Sequence, residues 1–354
     1  MTALDDSAAL PVSCWIGTYA GGGGAGLYRL PGDGDRLCVG APYGAAANAS
    51  FGVYSSRFDL HYLVDERDDG MLGLYRHAGS GWTCLGQVTT GGSAPCHVAL
   101  DATQSCVAVA NYASGSVALY RLDASGMPVA PPIVHANTGN GPNPDRQQSP
   151  HAHWVGFGPD NRTMYATDLG TDEVRAFAFD AEQGTLDAPR TAFAASPGSG
   201  PRHMLFHPRH PHTAYLACEL TSALVVLDLV GTELRERATL STLPTGWPDG
   251  WQGANILAHI GANTAGDRLY VSNRGHESIA VFALDPHGDA TLIQHIASGG
   301  LSPRFFLILE AERRMIVVHE RDHRVTMLDI LPDGTLAPTG LAVTVPGAAF
   351  ALLG

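Results

Sequence analysis

The sequence predicts an all-β fold, a seven-bladed β-propeller with four-stranded antiparallel blades. Three observations carry this. Pro95, Pro150, Pro201 and Pro303 stand 55, 51 and 102 residues apart, and the last interval is twice 51. After each proline comes a short strand, a turn, an apolar strand ending in a polar residue, another turn and a second apolar strand. No long segment combines a 3.6-residue apolar period with caps, so helix is expected to be scarce.

The middle of the unit recurs seven times along the chain. SCWIGTYAGGGGAGLYRL opens it near the N-terminus, and HYLVDERDDGMLGLYRH follows from residue 61. SCVAVANYASGSVALYRL begins at 105, RTMYATDLGTDEVRAFAF at 162 and HTAYLACELTSALVVLDL at 212. DRLYVSNRGHESIAVFAL begins at 267 and RRMIVVHERDHRVTMLDI at 313. Each is a pair of short runs rich in Val, Leu, Tyr and Ala around a polar or Gly-containing turn, the signature of a hairpin. Units of about 50 residues that cannot bury their own faces stack into a closed ring. The first unit lacks an inner strand, and the C-terminal VTVPGAAFALLG looks like one without partners. Residues 343–353 are therefore expected to complete the first blade. The whole chain, 1–354, reads as one propeller domain, with residues 1–11 as a flexible tail.

Composition narrows the function. The chain is 45% hydrophobic and 16% charged, with 42 Gly and 23 Pro, which suits a turn-rich globular protein. Its net charge of −13 argues against nucleic acid, whose phosphates demand Lys and Arg. An anionic small molecule needs only a local Arg cluster. There is no 18-residue apolar run for a membrane helix. The first residues show neither a basic n-region nor an apolar h-region. The six cysteines, Cys14, Cys38, Cys84, Cys96, Cys106 and Cys218, form no C-x-x-C pair. A cytoplasmic location with reduced thiols is expected. Monomer and dimer both stay open.

Candidate chemistry comes from aligning the repeats. Anchored on the prolines, Arg202 falls at the blade position of Cys96 and Arg304, and His153 takes that position in a blade with one extra residue. Inner strands line the channel of a propeller, so His153, Arg202 and Arg304 are expected at one mouth. Two guanidiniums there call for solvent or an anion. On the next strand Glu66, Asn111, Asp168, Glu219, Asn273 and Glu320 align. A polar group recurring there is expected to bond backbone amides of turns. Glu219 differs because its blade also supplies Arg202. Arg274 follows Asn273 and adds a cation near the same rim. A carboxylate or neutral imidazole can activate water, and arginines can bind an anion and stabilise an oxyanion. Such a group suits attack on the carbonyl of an anionic ester or lactone.

Other signals are weak. GGGGAG at 21–26 precedes a strand, not a helix, and reads as a hairpin turn. HAH at 151–153 puts two His on one strand face and leaves a metal site open, although the chain has no HExxH and no Cys/His zinc spacing; RHPHT at 209–213 reads as an exposed turn, and no G-x-S-x-G elbow is present.

GGSAPCHVALD, VANYASGSVALYRL, NPDRQQSPHAHWVGFGPDNRTMYATDLGTDEV, GSGPRHMLFHP and LYVSNRGHESIAVF together resemble the lactonase family of seven-bladed propellers. That family includes bacterial phosphogluconolactonases and the fungal carboxy-muconate lactonizing enzyme. The resemblance implies a catalytic set of His153, Arg202, Glu219 and Arg274. It further implies substrate contacts from Arg202, Arg274, Arg304 and His203. The implied reaction is hydrolysis of 6-phospho-D-glucono-1,5-lactone to 6-phosphogluconate in the pentose phosphate pathway. Glu219 or His153 would activate water, and no metal or organic cofactor is implied. Departures from the family pattern are Ala258 before His259, LEAERRM in the seventh unit and Ala49 in the second. A lactonizing cycloisomerase of the same fold and a non-catalytic propeller that binds protein partners are the alternative readings.

Overall fold

The computed structural model describes residues 14–31, 36–79, 81–247 and 255–354. The expected tail, residues 1–11, lies outside them. Seven antiparallel sheets follow one another along the chain. Blade two is typical, with Gly52–Ser55 innermost, then Leu60–Asp65, Met71–Ala78 and Gly81–Thr89. The inner strands of blades three to seven are Pro95–Leu100, Ala152–Phe157, Pro201–Phe206, Ile256–Ala262 and Pro303–Leu309. Blade four carries a small fifth strand, Thr185–Leu186. The helical element among the described residues is the 3₁₀ turn Ala20–Gly22, inside the Gly-rich hairpin.

The ring closes as the sequence suggests. Ala348–Leu353 pairs with Cys14–Thr18 as the inner strand of blade one. The expected segment began too early, since residues 343 and 344 still belong to Leu336–Thr344, the outer strand of blade seven. Apolar residues that point away from the channel pack between neighbouring sheets. Val98 meets Tyr62 and Leu74 in one such cluster, and Met204 meets Tyr165 and Val174 in another. Four tyrosines on second strands also tie blades together. The hydroxyls of Tyr62, Tyr215 and Tyr270 donate to Gly126, Gly288 and Gly334 carbonyls at 2.6, 2.6 and 2.8 Å, and Tyr165 donates to Thr232 at 3.3 Å. Each acceptor lies in the outer hairpin of the following blade. All six cysteines are free thiols, with Cys14, Cys106 and Cys218 buried in strands.

One irregularity recurs and places the site. Near its start the inner strand of every blade but the second carries one residue more than its partner. Pro201 pairs with Cys218 and His203 with Ala217, leaving Arg202 unpaired in the ladder. The same bulge isolates Cys96, His153, Arg304 and Ala349. In blade six the shift falls between Leu257 and Ile260, around Ala258 and His259. A bulge breaks the strict alternation of a strand and re-aims a side chain. Two consecutive residues, such as Arg202 and His203, thereby both serve the channel.

Candidate active site

The bulge residues and the residues just after the second strands form a charged mouth. Its centre is Glu219, 2% exposed. Arg202 Nε lies 2.8 Å and Arg274 Nη2 3.1 Å from Glu219 Oε2, and His153 Nε2 lies 3.9 Å from the same oxygen. Arg146 Nη2 holds Oε1 at 2.6 Å. The pairing continues round the ring. Arg274 Nη1 is 3.7 Å from Glu320 Oε1, Arg304 Nη1 is 3.3 Å from Glu320 Oε2, and Arg304 Nη2 is 3.8 Å from Glu66 Oε2. Glu66 accepts from the Tyr19 hydroxyl at 2.7 Å and from the Ser50 hydroxyl. The Arg304 guanidinium carbon sits 5.3 Å from the centre of the Tyr19 ring.

Four guanidiniums, of Arg146, Arg202, Arg274 and Arg304, thus face three carboxylates, of Glu66, Glu219 and Glu320. One positive charge is left over, which favours an anion. The scaffold fixes two of the cations. Arg202 donates to the Ala258 carbonyl and lies 3.1 Å from His203 Nε2, and Arg274 Nη2 donates to the Leu257 carbonyl at 2.9 Å. Ala258, a departure from the pattern that the family resemblance implies, therefore serves the site through its backbone.

Burial sets the protonation states. Burial alone would raise the Glu219 pKa, but Arg274, Arg202 and Arg146 outweigh it and hold the carboxyl far below the usual range. Glu320 is likewise raised by burial and carried down further by Arg304, Arg274 and Arg202. Burial and then Arg274 pull Arg202 down to about 10, which leaves it charged at neutral pH. Burial and the charge of Arg202 keep His153 well below 6.5, hence neutral.

Below the mouth the channel is closed by rings. The rings are His97, Trp154, His203, Phe305 and Phe350, each just after a bulge, with His259 in the blade-six bulge and Phe51 ahead of the inner strand of blade two. Phe51 packs against His97 at 4.2 Å, Phe350 at 5.2 Å and Phe305 at 5.9 Å between centroids. His203 meets His97 at 5.3 Å, His153 at 5.4 Å and His259 at 5.6 Å. Beyond this floor, at the opposite end, lies an apolar cavity of about 820 Å³ bordered by Val53, His259, Leu307 and Leu352. None of its lining residues is Arg or Lys, so it holds no fixed positive charge for an anion.

His153, Arg202, Glu219, Arg274 and Arg304 are brought together. His203 lies a layer lower, in the ring floor, where its Nε2 supports Arg202. The alignment of the second strands needs correction. The strand register places Asp65, Asn111, Asp168, Cys218, Asn273 and His319 at one position. Glu66, Tyr112, Leu169, Glu219, Arg274 and Glu320 come one residue later. A shift of one residue exchanges the two faces of a strand. Asp168 Oδ1 does bond turn amides, of His151, Gly170 and Thr171 at 2.8, 3.0 and 3.1 Å. Glu66, Glu219 and Glu320 instead face the channel. The tyrosines carry the correct register, because Tyr62, Tyr165, Tyr215 and Tyr270 each stand four residues before this column. Arg146, Tyr19 and Ser50 were not found from the sequence. Arg146 sits in a loop, where no periodicity marks it. Among the described residues no group of three or more His, Cys, Asp or Glu is arranged to hold a metal ion, and no helix is long and apolar enough to cross a membrane.

Comparison with known proteins decides the family. The lactonase family of seven-bladed β-propellers matches residues 13–352. The chain belongs to that family. The 6-phosphogluconolactonase of Bacillus subtilis (strain 168) is 31% identical over 348 residues, 93% of this chain and 97% of that one. The crystal structure of a Lactobacillus plantarum protein superposes with a TM-score of 0.86 at 29% identity, covering 97% and 99% of the two chains. A periplasmic gluconolactonase of Pseudomonas aeruginosa gives a TM-score of 0.86 at 26% identity, covering 97% and 98%.

Proposed function

We propose that the protein hydrolyses an anionic sugar lactone, with 6-phospho-D-glucono-1,5-lactone the best-fitting substrate, at the mouth built around Glu219. The carrying observation is a buried carboxylate held by three guanidiniums beside a neutral histidine, with one surplus positive charge. The Bacillus relative adds the phosphorylated substrate by similarity.

His153 accepts the proton of the attacking water at Nε2. Glu219, 3.9 Å away, stabilises the imidazolium so formed. Water oxygen bonds to the lactone carbonyl carbon, and charge gathers on the carbonyl oxygen. Arg202 and Arg274, pinned by backbone carbonyls, supply fixed donors for that charge. The ring C–O bond then breaks, and the proton on His153 passes to the departing oxygen, giving the hydroxy acid. Glu219 is a poor base itself while three arginines hold it.

The test couples product to NADPH formation with 6-phosphogluconate dehydrogenase. Wild type should accelerate hydrolysis over the spontaneous rate, and His153→Ala should lower kcat by about 10²–10⁴-fold. No acceleration by wild type would end the phosphogluconolactone assignment. A full kcat in His153→Ala would remove His153 from the mechanism.

A further inference from the structure

Arg146 differs from the other three arginines of the mouth. Its side chain is 34% exposed, against 3%, 9% and 16% for Arg202, Arg274 and Arg304. Arg202 and Arg274 are each tied to a backbone carbonyl, of Ala258 and Leu257. The partners of the Arg146 guanidinium are the Glu219 carboxylate and the Tyr112 hydroxyl. It also comes from a loop between blades three and four, while the others stand on strands or their bulges.

The loop itself is fixed. The Asn143 side-chain oxygen accepts from the backbone N–H groups of Asp145 and Arg146, both at 3.1 Å. Gln147, fully buried, donates from Nε2 to the Leu169 carbonyl at 2.9 Å and to Asp172 at 2.8 Å. The backbone on both sides of Arg146 is thus anchored, and the freedom left is that of an exposed side chain. Such a side chain changes rotamer without moving the loop.

Glu219 can lose Arg146 and stay paired. Arg146 holds Oε1, whereas Oε2 keeps Arg202 at 2.8 Å and Arg274 at 3.1 Å. A phosphate or carboxylate at the mouth offers a guanidinium a bidentate partner of greater or equal charge.

We infer that Arg146 is the residue that reads the substrate's anionic group, and that it leaves Glu219 to do so. The inference rests on the function proposed above. Binding of the anion then strips one cation from Glu219, and more of its negative charge acts on His153 3.9 Å away. A substrate with an anionic group switches on its own base; an uncharged lactone does not.

The experiment compares kcat and KM for 6-phosphogluconolactone and for uncharged glucono-1,5-lactone in wild type, Arg146→Ala and Arg146→Lys. Wild type should prefer the phosphorylated lactone by about 10²-fold or more. Arg146→Ala should lose at least tenfold of that preference while raising kcat for the uncharged lactone severalfold, because Glu219 is released in advance. Arg146→Lys should restore part of the preference. A purely structural role would depress both substrates alike, and that result, or an intact preference, overturns the inference. Titration calorimetry with inorganic phosphate gives a readout free of the lactonase assignment. Arg146→Ala should weaken phosphate binding at least tenfold, and equal affinity in the two proteins overturns the inference even if wild type hydrolyses neither lactone.

Discussion

At the scale of single residues the account turns on Glu219. Its carboxylate is buried with three guanidiniums, and removing one partner of a buried ion pair leaves charge without compensation. Glu219→Gln keeps the shape and deletes the charge. It should destabilise the fold by about 3–5 kcal/mol in urea denaturation. It should also lower kcat at least 100-fold, a drop of about 2.7 kcal/mol in transition-state stabilisation. A variant as stable as wild type would mean that the arginines find other partners. The sequence exposed this site only in part. His153, Arg202 and Arg304 were legible because a proline stands at or just before the start of each of their inner strands. Glu219 was aligned with Asp168 and Asn273, residues of the opposite face. Polarity does not separate the two columns, because both are largely polar. Arg146 left no trace, since a loop residue has no periodic equivalent.

At the scale of elements the device is the bulge. Six inner strands with an extra residue each present two consecutive side chains to the channel, one polar, charged or small at the mouth and one ring in the floor. Hydrophobic patterning could not show this, because a bulge suspends the period of two on which such patterns depend. The ring column mixes Phe, His and Trp, so residue type did not reveal it either. The tyrosine ties are a second device, with Tyr62, Tyr165, Tyr215 and Tyr270 at one position of the second strand. Tyr215→Phe removes a 2.6 Å bond to the Gly288 carbonyl and nothing else. It should lower stability by about 1 kcal/mol, read from the denaturation midpoint, with kcat and KM unaltered. A change in kcat would show that blade spacing is transmitted to the mouth.

At the scale of the whole molecule, the repeat made the fold legible. Even spacing and a first unit short of one strand gave both the blade count and the closure by the C-terminal strand. The channel then sets the pH response. Burial lowers the pKa of His97, His153 and His203 well below 6.5, with Arg202 adding to the effect, and takes His259 to about 3. A group depressed in the folded state is less protonated there than in the unfolded chain. The stability it contributes is complete above pH 6.5 and declines as pH falls below it. Each of the three fully buried histidines adds up to about 1.4 kcal/mol per pH unit to that slope. Glu219 and Glu320, also depressed, act in the same sense but only below about 4.5, the ordinary glutamate value. Tm should therefore already be lower at pH 5 than at pH 7. A Tm that is flat down to pH 4.5 would contradict the neutral histidine layer.

The central claim is that chemistry occurs at the charged mouth and not in the apolar cavity at the other end of the channel. The most direct measurement is kcat/KM on 6-phosphogluconolactone for Arg202→Ala beside Leu307→Trp, which fills the apolar cavity. The account predicts a loss of about 10²–10³-fold for Arg202→Ala and near wild-type turnover for Leu307→Trp. The reverse pattern, with Leu307→Trp inactive and Arg202→Ala active, would contradict it.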